Sequence, residues 1–129
     1  MKKKSDPIFI AASVIEGQPV EVWGRPRGTA GGDFETCPTA DCRKPSRITI
    51  DLDREHVYGV LKNLYHEVFE CSLMLHQCRY VKSNADAADS GAYYFWLTHE
   101  AMGEVTAQVA WFLHKTQRAV ETAWRKHRP

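Results

Sequence analysis

Apolar and polar positions change period three times along the chain. Ile8-Phe9-Ile10-Ala11-Ala12-Ser13-Val14-Ile15 is a short apolar run, and Val20-Glu21-Val22-Trp23 alternates with a period of two. Both read as strands, with Glu16-Gly17-Gln18-Pro19 as the turn between them. Residues 24–46 are rich in glycine and proline and predict a long irregular loop. Arg47-Ile48-Thr49-Ile50-Asp51 predicts a third strand, and Asp51 or Asp53 offers an N-cap for a helix after it.

From Arg54 to about Tyr80 the period becomes helical. Val57, Val60, Leu61, Leu64, Val68, Cys71 and Leu75 form one apolar stripe. Phe69, Leu73 and Met74 border the opposite side, where His66 and Glu70 lie. A helix apolar nearly all round is buried on more than one face, so His66 and Glu70 are expected to face protein. Residues 82–91 read as a polar linker, and Ala92-Tyr93-Tyr94-Phe95-Trp96-Leu97 as a fourth strand whose aromatic side chains belong to the core. Thr98 is positioned to cap a second helix over about 99–126, with Met102, Val105, Val109, Phe112, Thr116, Ala119 and Ala123 as its stripe and His99 on that stripe. The pattern predicts an α+β fold: a small antiparallel sheet of N-terminal strands with two long helices.

The 129 residues suit one domain, 1–129, with one core. A net charge of +1 creates no global field toward nucleic acid or acidic membrane. The basic ends, Lys2-Lys3-Lys4 and Arg125-Lys126-His127-Arg128, read as solvated, and nucleic acid is not expected as a partner. No apolar stretch is long enough to span a bilayer. The first residues resemble the basic start of a signal peptide, but Ser5-Asp6-Pro7 interrupts the junction and Glu16 with Pro19 makes a poor cleavage site. Cys71 and Cys78, about 10.5 Å apart along one helix, cannot bridge there. Together with Cys37 and Cys42 they lack zinc-ribbon spacing, so reduced thiols are expected. Gly28-Thr29-Ala30-Gly31-Gly32 lacks the Lys-Ser/Thr of a phosphate loop.

The chemistry concentrates in His66-Glu67-Val68-Phe69-Glu70. Residues at i and i+4 share a helix face, and Glu67 points about 100° away from His66. This is the layout of the zinc-hydrolase helix His-Glu-x-x-His, with glutamate in the second histidine's place. A carboxylate also ligates zinc. The competing reading is a hydrogen-bonded His66–Glu70 pair on a solvated helix face. His56 and His76, ten residues to either side, read as surface or satisfied histidines, and His114 and His127 receive no role.

Ile48-Thr49-Ile50-Asp51 followed by Leu64-Tyr65-His66-Glu67-Val68-Phe69-Glu70 resembles the minimal zincin-like metallopeptidase domains of phage and prophage proteins. Phe95-Trp96-Leu97-Thr98-His99-Glu100 resembles a hydrophobic-Thr-His-Asp/Glu run associated with a small His-Glu-x-x-Glu variant of them, and the resemblance covers about 47–113. It implies a zinc ion held by His66, Glu70 and His99, with Glu67 as general base. It implies a small zinc-dependent metallopeptidase-like hydrolase, active or degenerate, with a peptide or protein as substrate or partner. A phage-encoded chain of this kind would work in the host cytoplasm. The alternative from a different class is a non-catalytic phage-type protein that binds a host or phage partner through the aromatic segment.

Overall fold

A computed structural model describes residues 3, 5–28, 31–35, 44–76, 79–81, 93–95 and 97–128; the side chains of the short strands at 33–35, 79–81 and 93–95 are outside the description. The fold is α+β. Strands β1 (Ile8–Ile15), β2 (Gln18–Arg25), β3 (Gly32–Glu35) and β4 (Ser46–Asp51) precede helix α1 (Val57–Leu75). Two short strands, β5 (Arg79–Val81) and β6 (Tyr93–Phe95), precede helix α2 (His99–His127). No described helix is long and apolar enough to cross a membrane.

The hairpin β1–β2 closes through Glu16 and Gly17, whose φ angles of 51° and 70° lie in the left-handed region. Two consecutive positive φ values match the right-handed twist of the flanking strands, and glycine takes one of them without a Cβ clash. The main sheet has the order β1-β2-β4-β3. Its central pair, β2 and β4, runs parallel, with Val22 opposite Ile48. The sheet is therefore mixed, where the sequence pattern predicts an antiparallel one. The reason is β3, a strand inside the expected loop: it pairs antiparallel with the far side of β4, and β4 returns beside β2.

The crossing from β2 to β3 is held at the end of β4. Asp51, fully buried, accepts from Arg25 Nε at 2.6 Å and from the Gly31 amide at 3.0 Å. Asp53 accepts from the Gly28 amide at 3.1 Å. Neither aspartate caps α1. The N-cap is His56, with no side-chain hydrogen bond, because both carboxylates are used by the loop.

Both helices pack against the sheet, α1 on β3 and β4 and α2 on β1 and β2, and they contact one another. The core joins Ile15, Val20 and Val22 to Ile48, Ile50 and Leu52, then to Val60, Leu64 and Val68 of α1 and Phe112 and Val120 of α2. Trp124 Nε1 donates to the Arg54 carbonyl at 2.9 Å, tying the end of α2 to the approach to α1.

Helix α1 ends at Leu75, short of the expected Tyr80. The His76 amide bonds back to the Ser72 carbonyl, and its imidazole, 7% exposed, lies with Nε2 3.1 Å from Glu16 Oε2. Arg79–Val81 is extended instead and pairs with Tyr93–Phe95 in a separate two-stranded sheet. The aromatic strand is real, but it does not join the main sheet. Thr98 caps α2 as expected, accepting from the Ala101 amide at 3.0 Å. The buried stripe of α2 is Val105, Phe112, Thr116, Val120 and Trp124, while Met102 is half exposed. Cys71 is buried; Cys37, Cys42 and Cys78 lie outside the described residues.

Candidate metal centre

Helix α1 presents two usable sides. Val60, Leu64, Val68 and Cys71 enter the core, and one step round the helix Glu67 is buried as well, at 7% exposure. A carboxylate there is unusual, since burying a charge is costly without partners. It is accommodated because β3 passes over it. A Cβ placed on Gly32 would lie 3.2 Å from Glu67 Cγ, so the absent side chain makes room for the glutamate stem. The site thus sits where the middle of α1 meets the edge strand β3.

His66 and Glu70 complete the cluster. One ligand atom from each of His66, Glu67 and Glu70 lies within 4.8 Å of the others, a group able to hold a metal ion. His66 Nε2 is 3.1 Å from Glu70 Oε2. The His66 side chain is 65% exposed and that of Glu70 22%, so the imidazole faces solvent while its partner is largely sheltered. The expectation that both face protein holds only for Glu70. Tyr65 and Phe69, both over 40% exposed, flank the cluster on the same helix.

His99 is placed elsewhere. It is the first residue of α2, exposed, and is not part of the cluster. The geometry of α2 explains this: the buried stripe begins at Val105, and a residue six positions earlier lies about 120° round the helix from it. The described residues therefore assemble one imidazole and two carboxylates, in place of the two histidines and one carboxylate of the expected set His66, Glu70 and His99. Glu67, expected as a base only, is the third member. Its burial was hidden from the sequence because a glutamate beside a known apolar stripe reads as solvated.

The donor set fits a divalent cation. Metal–ligand lengths of about 2.0–2.2 Å put neighbouring ligands roughly 3.3–3.6 Å apart in a tetrahedral shell, and the His66–Glu70 pair already lies at 3.1 Å. Imidazole with carboxylates suits zinc and several other first-row ions, so the donors define a class of metal rather than one element. Below the cluster, Cys71 is one turn from Glu67. Burial, with the Glu67 charge adding to it, pushes its thiol up to about 12. It is a protonated core thiol at neutral pH, not a thiolate ligand.

Comparison with protein-family models, with curated proteins and with solved structures finds no match for this chain.

Proposed function

We propose that this protein is a small metal-dependent hydrolase-like domain of the zincin type, acting on peptide bonds, with zinc as its metal. Of the three clustered donors, His66 Nε2 and a Glu70 oxygen would hold the ion with water filling the remaining positions, and Glu67, although within ligand reach, would serve as the proton-handling carboxylate beside it. The observation that carries the reading is the buried Glu67 set between an exposed histidine and a sheltered glutamate on one turn of α1. Zinc supplies Lewis acidity and makes coordinated water acidic near neutral pH. The chain's own contribution is positional. Helix α1 spaces the two ligands one turn apart, and β3 shelters Glu67, whose carboxylate would take up the proton. The edge strand β3 beside the site offers backbone groups on which an extended peptide could lie.

The test is metal content and hydrolysis measured together. Protein purified without chelator should carry near-stoichiometric zinc or take it up on titration, and His66→Ala should abolish that uptake. Glu67→Gln should retain most of the zinc while turnover of a generic casein substrate falls on the order of 10²–10⁴-fold. Glu70→Gln should lower zinc affinity itself. Equal zinc contents in Glu67→Gln and Glu70→Gln would overturn the assigned roles.

A second reading is favoured by Tyr65 and Phe69, exposed beside the cluster. A non-catalytic domain would use such side chains to hold a protein partner, with the metal, if bound, only bracing the surface. Zinc uptake without hydrolysis, and with Phe69→Ala abolishing partner capture, would favour it.

A further inference from the structure

On the opposite flank of the molecule, a groove of about 600 Å³ runs between β1 and the C-terminal half of α2. One wall is made by Ile8, Phe9 and Ile10, and the other carries Lys115, Arg118 and Lys126; among the described residues no acidic one lines it. Side chains of successive strand residues point to opposite faces of a sheet. The groove borders β1, an edge strand whose register against β2 shifts at a bulge between Phe9 and Ala11, so consecutive side chains there need not alternate. That edge is open: β1 is the terminal strand of the sheet, and among the described residues only β2 pairs with it.

We infer that this groove binds an extended acidic peptide segment, which adds to the free edge of β1 and sets its carboxylates against Lys115, Arg118 and Lys126. Three properties select that occupant. The unpaired edge supplies alternating donors and acceptors that a peptide backbone matches and a nucleic-acid backbone does not. The cations are unopposed within the groove, although the chain as a whole is nearly neutral. Lys115 and Lys126 are eleven residues apart on a helix, about 16 Å, the reach of roughly five extended residues. Phe9 is half exposed and braced edge-on by Trp23 at 5.6 Å, so its ring is a fixed apolar contact at the edge of the sheet. Lys115 rests over the Trp111 ring of the same helix at 4.4 Å. This surface is independent of the His66 cluster and does not rest on the hydrolase reading.

The experiment uses the full chain and a fluorescent peptide of four Glu-Val repeats. Three controls accompany it: the same peptide N-methylated at alternate residues, a Lys-Val repeat, and single-stranded oligothymidine of about a dozen nucleotides. The Glu-Val peptide should bind, and binding should weaken as salt is raised above about 0.15 M. The Lys-Val repeat should not bind. N-methylation, which keeps the charge but blocks backbone pairing, should weaken binding at least about tenfold. Lys115→Glu with Arg118→Glu should do the same, and the milder Lys115→Gln with Lys126→Gln should weaken it by a smaller factor if the reversed pair fails to fold. Absence of Glu-Val binding overturns the proposal. So does equal binding of the N-methylated peptide, and so does tighter binding of oligothymidine, which would make the groove a nucleic-acid surface.

Discussion

Helices α1 and α2 do different work with similar materials. Helix α1 buries seven of its 19 residues, among them two polar ones, Glu67 and Ser72. Helix α2 buries five of 29, all on one stripe and only Thr116 polar, with its hydroxyl returned to the Phe112 carbonyl at 2.8 Å. The longer helix is a strut: one apolar face, a capped start, basic residues in the last turn, the rest solvated. The shorter one has no capping side chain and no acidic first turn. Its stability must come from packing, not from its ends. Glu67 sits at the rim of the buried stripe of α1, where β3 covers it, and the buried stripe of α2 includes no carboxylate.

The comparison can be broken most directly at the strut. Phe112→Ala should destabilise the protein by about 3–5 kcal/mol in denaturant unfolding, because a fully buried ring is replaced by a cavity. Met102→Ala on the same helix should change stability by less than about 0.5 kcal/mol, since its side chain is half exposed. A large effect at Met102 would mean that the stripe runs as its spacing alone suggests.

On α1 the sharper probe is Gly32, where β3 crosses Glu67. The new methyl of Gly32→Ala would lie 3.2 Å from Glu67 Cγ and from the Thr49 carbonyl oxygen. Overpacking of that kind costs about 1–3 kcal/mol. It should also displace Glu67, so metal affinity or turnover should fall along with stability. Loss of stability with the site unaffected would separate Glu67 from β3.

Cys71 reports the same buried side through pH. Its folded pKa is raised to about 12 from an ordinary value near 9. The unfolded chain therefore releases this proton first. Its contribution to stability is full below about pH 8 and is lost as pH rises from roughly 9 toward 12. Melting temperature should fall with pH across that window, and Cys71→Ala should flatten the fall. In the folded protein, Cys71 should also resist alkylation at neutral pH, as read by peptide mapping.

The smallest effect is expected at His66. Without metal, His66→Ala should lie within about 0.5 kcal/mol of the parent, because the imidazole is 65% exposed and its pairing with Glu70 is a surface interaction. With zinc present, the parent alone should gain thermal stability by mass action. Equal shifts in both proteins would remove His66 from the ligand set.

Local periodicity and chemistry made much of this protein legible. The hairpin strands, the β-branched run at 47–51, the α1 core stripe and the Thr98 cap follow from residue spacing, because each is decided by side chains within a turn or two of one another. His66, Glu67 and Glu70 also come together through helix geometry alone, being consecutive around one turn. Other features needed distant partners. Strand β3 has only four residues and little apolar pattern, and it exists by pairing with β4. The parallel β2–β4 register depends on that insertion. Helix α1 stops at Leu75, and His76 just past it lies against Glu16, sixty residues earlier in the chain. His99 left the expected ligand set because the stripe of α2 is rotated away from it, and that rotation is set by which face fits α1 and the sheet. The sequence determined the α+β content and the cluster of donors on α1. Only the tertiary structure decided which of those donors is buried, since burial depends on strands brought over the helix from elsewhere, not on the helix's own period.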